Sequence, residues 1–121
     1  MKKGISLIFL LFVMLTLTNC KKKEESILKV FVRSASNQLI NGAKVIVIGD
    51  QQSTPATGAF VDTAFTNSSG FTTINMDNYF ASAANTTGYF DIIVKYNSKE
   101  GFGYSRCRVH STSVETVYLE N

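Results

Sequence analysis

Short apolar runs that alternate with polar residues constrain the fold of this 121-residue chain more than any other feature. Residues 28–33 and 88–96 alternate with a period of two, which is the pattern of strands that bury one face. Residues 43–48 are rich in β-branched side chains, as expected of a strand with Val45 and Val47 in the core. The predicted strands cover residues 28–33, 43–48, 60–66, 71–74, 88–96, 102–110 and 114–119. Seven short strands separated by turn residues predict an all-β fold, an antiparallel seven-stranded β-sandwich.

Turn residues predict how several of these strands are connected. The segment Asn67-Ser68-Ser69-Gly70 tolerates positive φ and predicts a hairpin between the third and fourth strands. Residues 49–58 are polar and contain Pro55, the only proline, which predicts a long mobile loop. After the fourth strand the sequence is compatible either with one helical turn capped by Asp77 or with a loop.

An apolar segment near the start of the sequence predicts export. Lys2 and Lys3 precede a run of thirteen residues, Ile5 to Leu17, that are nearly all apolar. A bilayer span needs about 18 or more apolar residues, so this segment is too short to remain as a transmembrane helix. A charged start followed by a short apolar stretch is typical of a removable signal peptide, here an N-terminal signal helix.

The residues Leu17-Thr18-Asn19-Cys20 resemble the lipobox at which bacterial lipoproteins are acylated and cleaved. The resemblance implies a signal peptide over residues 1–19, a lipidated Cys20 within a charged tether over 20–26, and a sandwich domain over 27–121. Two or more acyl chains on Cys20 would hold the protein durably on a membrane, whereas one chain binds only marginally. The lipobox commonly has Gly or Ala where this chain has Asn19, so export without acylation is the alternative.

The charged residues 21–25, Lys-Lys-Lys-Glu-Glu, contain nothing apolar to pack and predict a solvated tether. A lysine followed by two acids also resembles the surface-export tag of certain Gram-negative lipoproteins. The absence of Asp directly after Cys20 resembles the sorting signal for the outer membrane. These resemblances imply an outer-membrane lipoprotein of the cell envelope that faces the periplasm or the cell surface.

The net charge and the cysteine count limit the partners and the disulfides that the chain can have. Loss of Lys2 and Lys3 with the signal peptide would lower the formal charge from +3 to +1. A chain so close to neutral does not carry the strongly basic face that nucleic-acid binding needs. With Cys20 acylated, Cys107 would be the one remaining thiol, so no intrachain disulfide is expected although the compartment permits one.

The order of turn signals resembles the transthyretin-like sandwich shared by carboxypeptidase regulatory-like and related bacterial surface modules. Three motifs carry the resemblance. The first is Val30-Phe31-Val32 followed by Gly42-Ala43-Lys44-Val45 at the start of the second strand, the second is Thr66-Asn67-Ser68-Ser69-Gly70-Phe71, and the third is Gly88-Tyr89-Phe90-Asp91-Ile92-Ile93-Val94. It covers nearly all of residues 27–119. The resemblance implies a spacer, binding unit or assembly domain that needs no cofactor. Fold analogy alone says no more about function.

No catalytic constellation is predicted. His110 is the only histidine, so a two-histidine or histidine-rich metal site cannot form within one chain. The hydroxyisourate hydrolases, enzymes that share the transthyretin-like fold, rely on more than one histidine and a characteristic C-terminal tetrapeptide, which residues 118–121 do not match. Cys107 and His110 would lie on opposite faces of a strand, and a small buried thiol accounts better for the cysteine. The aspartates are too scattered for a calcium loop. The sequence therefore predicts a protein that is not an enzyme and has no metal or cofactor.

Two surface features remain as candidate sites. Tyr104, Arg106, Arg108 and His110 share one face of the sixth predicted strand and form a stripe able to stack and to contact anions. An ordinary solvated sheet face is the alternative. The tripeptide around Thr63, Asp-Thr-Ala, resembles an acceptor for O-glycosylation of exported proteins in some Gram-negative bacteria.

Together these features predict a lipid-anchored, non-enzymatic envelope module that binds a carbohydrate or an envelope protein through the stripe. The main rival is a structural or accessory subunit of a fimbria-like surface assembly, since such subunits use similar sandwiches and exchange edge strands. A small envelope enzyme or enzyme inhibitor is the third alternative, because loops can carry chemistry that no motif records.

Overall fold

A computed structural model describes residues 23–121. The predicted signal helix and lipidation site lie outside the described residues. The chain forms β1 (Ile27–Arg33), β2 (Lys44–Gly49), β3 (Val61–Phe65), β4 (Phe71–Asn75), α1 (Asp77–Ser82), β5 (Thr87–Tyr96), β6 (Lys99–Arg108) and β7 (Thr112–Tyr118). The prediction of seven strands in an all-β sandwich is confirmed. Within this range no helix has the length and apolar character that crossing a membrane requires.

The strands form two packed sheets, one ordered β4-β1-β7 and the other β3-β2-β5-β6. Alternate residues of the inner strands point between the sheets and are fully buried, including the predicted Val45 and Val47. The largest of the fully buried side chains are Phe90, Leu28, Ile74, Met76 and Ile92. The period-two pattern therefore identifies the inner faces of both sheets.

The prediction of a fully antiparallel sandwich is wrong for one pair of strands. β1 and β7 run parallel, with partners from Ile27 and Thr112 to Arg33 and Tyr118. Strands paired in parallel need a long crossover, and here the crossover contains the five strands β2 to β6. Because the side-chain period is the same in parallel and antiparallel strands, alternation in the sequence does not distinguish them.

The predicted hairpin between the third and fourth strands is also wrong. β3 pairs with β2 in one sheet, whereas β4 pairs with β1 in the other. The turn is nevertheless well formed, because the Asn67 side-chain oxygen accepts bonds from the backbone N–H groups of Ser69 and Phe71, and Gly70 has φ of 77°. Turn residues encode a reversal of the chain, and this reversal carries it from one sheet to the other.

The segment after β4 is a short helix, but Asp77 does not cap it. The helix begins at Asp77, and the cap position is Met76, whose side chain makes no capping hydrogen bond. The Asp77 carboxylate instead accepts the backbone N–H of buried Ser26 at 2.8 Å, which fixes the start of β1. Tyr79 and Phe80 are buried, and the Tyr79 ring meets the Phe90 ring edge to face at 5.3 Å. Packing, rather than a cap, therefore stabilises this single turn.

Candidate functional site

The outer surface of β6 carries three of the four residues of the predicted stripe. Tyr104, Arg106 and Arg108 are exposed, and the residues between them are buried. His110 does not belong with them, because β6 ends at Arg108 and His110 lies in a turn with φ of 57°. Its backbone N–H donates to the Ser26 hydroxyl at 2.8 Å. Extending the period of two beyond the end of the strand placed this residue wrongly.

Tyr89 on β5 completes the site. It lies opposite Arg106 in the β5–β6 ladder. Its ring stacks on that of Tyr104, with ring centroids 6.2 Å apart and planes 25° apart, within the range of offset-stacked aromatic pairs. We call this surface the tyrosine–arginine face, and it consists of Tyr89, Tyr104, Arg106 and Arg108. Alternation along β5 marks Tyr89 as outward-facing, but only the pairing register places it beside Arg106 and Tyr104.

The loop from Asp50 to Ala59 is held against this face, although its sequence predicts a mobile segment. The buried Thr57 hydroxyl accepts the backbone N–H of Tyr89 at 2.8 Å. The Asp50 backbone N–H donates to the Tyr89 carbonyl at 2.9 Å, so the loop is bonded to β5 at two points. The first of these bonds uses the Thr57 side chain, one of the polar side chains that suggest solvation in the sequence, and the second joins backbone groups.

Asp50 also fixes one member of the face directly. The Tyr104 hydroxyl donates to the Asp50 carboxylate at 2.7 Å. This hydrogen bond, together with desolvation and the negative charges of Asp50 and Asp91, raises the pKa of Tyr104 to about 12. Tyr104 therefore stays neutral at physiological pH, and Asp50 holds its ring in place beside Tyr89.

A shallow groove of about 340 Å³ runs along the arginine end of the face. Its walls are formed by Pro55, Asn85, Thr86 and Thr87 together with Tyr89, Arg106 and Arg108. Two guanidinium groups and no carboxylate line this groove, while Asp50 and Asp91 lie at the Tyr104 end. The groove can thus accept an anionic group in bidentate hydrogen bonds beside an aromatic ring.

The other reactive side chains do not converge. Cys107 is 1% exposed and points into the core, and burial raises the pKa of its thiol, which disfavours the nucleophilic thiolate. The His110 ring nitrogen Nδ1 lies 2.9 Å from the Glu24 carbonyl oxygen, close to where the tether enters the sandwich. Among residues 23–121, no three His, Cys, Asp or Glu side chains gather as a metal site.

Thr63 lies on β3, at the far edge of the same sheet from β6. It is exposed, and its backbone N–H donates to the carboxylate of the preceding Asp62 at 2.8 Å. A modifying enzyme could reach a threonine in this position. O-glycosylation of Thr63 stays a prediction.

No family model matches this sequence, and no curated protein matches it. Among solved structures, the chain is similar to chlorocatechol 1,2-dioxygenase from Pseudomonas putida, with 12% identity and a TM-score of 0.47. The match covers 84% of this chain and spans 63% of the dioxygenase chain. Because the matched protein is an enzyme, the prediction that this chain is not an enzyme is contradicted. At this identity and TM-score the match assigns no activity.

Proposed function

We propose that this protein is a lipid-anchored module of the cell envelope that binds a carbohydrate or protein partner through its tyrosine–arginine face. The observation that carries the proposal is the stacking of half-buried Tyr89 on exposed Tyr104 beside two arginines, at a groove that no carboxylate lines. Exposed aromatic and arginine side chains are enriched where proteins bind partners.

The chemistry of the face favours an acidic carbohydrate. The ring of a tyrosine offers a flat apolar surface to the C–H groups of a sugar, while its hydroxyl remains hydrogen-bonded. Arg106 and Arg108 can each bind a carboxylate through two parallel hydrogen bonds. An acidic segment of an envelope protein would satisfy the arginines in the same way, and it is the second ligand that the binding experiment must include.

The position of the tether is compatible with membrane anchoring through Cys20. Glu24 and Glu25 are exposed, and the chain enters β1 beside the turn that follows β6. The described part of the tether therefore lies near the Arg108 end of the tyrosine–arginine face. In an outer-membrane lipoprotein, this arrangement would place the face close to the glycans and proteins of that membrane.

We also propose that the sandwich is of the transthyretin-like class. The motifs that suggested this class occupy defined positions in the fold. Gly42-Ala43-Lys44-Val45 leads into β2, the turn ending at Gly70 joins the two sheets, and Gly88 lies near the start of β5. These positions support the proposal because turn motifs are informative about fold only when they occur where the chain changes direction.

Removing the charge of the face should weaken binding without unfolding the protein. We expect Arg106→Ala combined with Arg108→Ala to lose most binding to an acidic polysaccharide such as polygalacturonate, because both bidentate contacts are removed. The matched control is Lys95→Ala with Lys99→Ala, which removes the same charge at the other end of the β5–β6 hairpin. Isothermal titration with polygalacturonate, a neutral polysaccharide and an acidic peptide gives the comparison. If both double variants weakened the binding of polygalacturonate equally, the binding would be due to non-specific charge attraction alone.

The anchor has a separate test. Radiolabelled or alkyne-tagged palmitate should be incorporated into the wild-type protein in its native host and not into Cys20→Ala, since the thiol is the acylated atom. The labelled protein should fractionate with membranes and the variant should not. Equal, background labelling of both proteins would contradict acylation, while leaving the binding proposal to its own experiment.

A further inference from the structure

One edge of the four-stranded sheet is open. β3 pairs with β2 on one side, and within residues 23–121 no strand pairs with its other side. The two most exposed large apolar side chains of these residues, Val61 at 69% and Phe65 at 63%, lie on this five-residue strand. An exposed apolar edge strand is a template for pairing with another strand.

The hydrogen-bond pattern shows which backbone groups β3 offers. The Gly49 N–H bonds to the Phe60 carbonyl, and the Thr66 N–H bonds to the Ala43 carbonyl, at the two ends of the β2–β3 ladder. Hydrogen-bonded pairs alternate along an antiparallel ladder, so the backbone groups of Asp62 and Ala64 face β2. The backbone groups of the remaining strand residues point away from the sheet. These residues are Val61, Thr63 and Phe65.

The other edges of the sandwich are covered in part. β6 and β7 close one side, where the Glu120 N–H donates to the Glu100 carbonyl at 2.9 Å. On β4, the Phe71 N–H bonds to the Asn67 side chain, and the Phe71 carbonyl accepts the Asn67 N–H. Within residues 23–121, Thr63 has the one outward N–H of β3 that finds a partner, and it bonds to the adjacent Asp62 carboxylate. β4 is thus covered at its Phe71 end only, and β3, which carries the exposed Val61 and Phe65, is the edge better able to accept a strand.

We propose that two copies of this chain pair through β3, antiparallel and with the two-fold axis at Thr63, to form one continuous eight-stranded sheet. In this register Val61 of each copy lies opposite Phe65 of the other, and the two Thr63 residues face each other. Aromatic–β-branched and Thr–Thr pairs are favourable cross-strand neighbours. An isologous contact of this kind closes after two copies, so it yields a dimer and not a fibre.

The charges of β3 favour a second copy as the occupant. Asp62 is the only charged residue on the strand, and the proposed register places it opposite Ala64 rather than opposite another carboxylate. No pair of like charges is therefore directly opposed. The strand also lacks the lysine, proline or bulge that commonly protects an open edge. The local bond between Asp62 and the Thr63 N–H would be exchanged for a bond across the interface.

Pairing through β3 leaves the proposed binding surface free. The tyrosine–arginine face lies on β5 and β6, toward the edge of the sheet that is opposite β3. In the dimer the two faces would be separated by roughly 34 Å, from seven strand spacings of about 4.8 Å. A repeating polymer could engage both faces at once, which increases avidity without any new contact. A glycan on Thr63 would occupy the axis and prevent pairing.

Disulfide cross-linking tests the register. One cysteine at a time is introduced into the full, unglycosylated chain that carries Cys20→Ala, and each variant is purified in a mild detergent. Mass spectrometry of the intact protein confirms that residue 63 is unmodified. Thr63→Cys should form a disulfide-linked dimer, because Cα atoms of a hydrogen-bonded antiparallel pair lie about 5.5 Å apart, within disulfide range. Val61→Cys should not, because its two copies would be roughly 14 Å apart. Mixing Val61→Cys with Phe65→Cys should restore cross-linking, since those positions are opposed.

Thr73→Cys on the exposed edge of β4 is the matched control for random collision. We expect at least about tenfold more cross-linked dimer from Thr63→Cys than from Thr73→Cys at equal concentration. Equal yields would overturn the proposal, and so would cross-linking of Val61→Cys alone. Light scattering provides a second measurement without a disulfide. Thr63→Pro should abolish a concentration-dependent dimer, while Thr73→Pro should leave it intact, and a wild-type chain that stays monomeric would also refute the pairing.

Discussion

Replacing Phe90 with alanine is expected to lower the free energy of unfolding by about 3–5 kcal/mol, the largest loss for any single truncation in this fold. Phe90 is fully buried on the inner face of β5. Its ring meets Phe60 and Tyr79 edge to face, with centroids 5.6 and 5.3 Å away. Alanine would leave a cavity that these rings cannot fill by a small shift. Urea unfolding followed by tyrosine fluorescence measures the change.

Phe102→Ala is the matched control for this prediction. It removes the same side chain from the adjacent strand β6, but Phe102 is on the outer face and is 61% exposed. We expect it to change the free energy of unfolding by less than about 1 kcal/mol, as surface substitutions usually do. Similar losses from both variants would mean that the aromatic cluster around Phe90 is not the centre of the core.

The aromatic cluster around Phe90 also explains how the helix α1 and the long loop are held in place. Phe60 follows the loop, Tyr79 lies on α1 and Phe90 lies on β5, so three separate segments meet in one set of ring contacts. The Tyr79 hydroxyl accepts the backbone N–H of Gly58 at 3.1 Å and ties the loop to the helix. Phe90→Ala should therefore loosen the loop that positions Asp50 beside Tyr104, and binding should weaken together with stability.

Alternation in the sequence predicts the inner strands β1, β2 and β5 because each of them buries every second side chain, and that requirement acts locally. It does not predict partners, because any strand with one apolar face fits either sheet. This is why the turn residues at Asn67 predict a hairpin that does not form, and why alternation does not reveal the parallel pairing of β1 with β7. Both outcomes depend on contacts between residues far apart in the chain.

The residues of the candidate site also divide into those that local alternation predicts and those that depend on contacts between distant parts of the chain. Tyr104, Arg106 and Arg108 are neighbours along one strand, so alternation alone groups them. Tyr89 joins them only through the β5–β6 register, and Asp50 only because its loop is bonded back to β5. Alternation also groups His110 with them, because the sequence does not show that β6 ends at Arg108.

Gly101 permits a close contact between β6 and β7, two strands that belong to different sheets. It is buried on β6 where β6 passes β7, between the two sheets. A Cβ atom at this position would lie 2.6 Å from the backbone carbonyl oxygen of Tyr118 and 2.8 Å from a methyl group of Val117. A separation of 2.6 Å is too short for carbon and oxygen, and a backbone carbonyl cannot rotate away as a side chain can. The closure of the sandwich on this side therefore requires a residue without a side chain.

Gly101→Ala is expected to destabilise the protein by about 1–3 kcal/mol, because β6 and β7 must separate to admit one methyl group. Gly58→Ala is the control, since its added Cβ would lie 3.7 Å from the nearest atom, on the Tyr79 ring, which is an ordinary contact. Reduced freedom of the unfolded chain should make Gly58→Ala neutral or stabilising by up to about 1 kcal/mol. Urea unfolding of both variants gives the comparison. If Gly101→Ala were as stable as Gly58→Ala, β6 and β7 could not lie as close together as the structure places them.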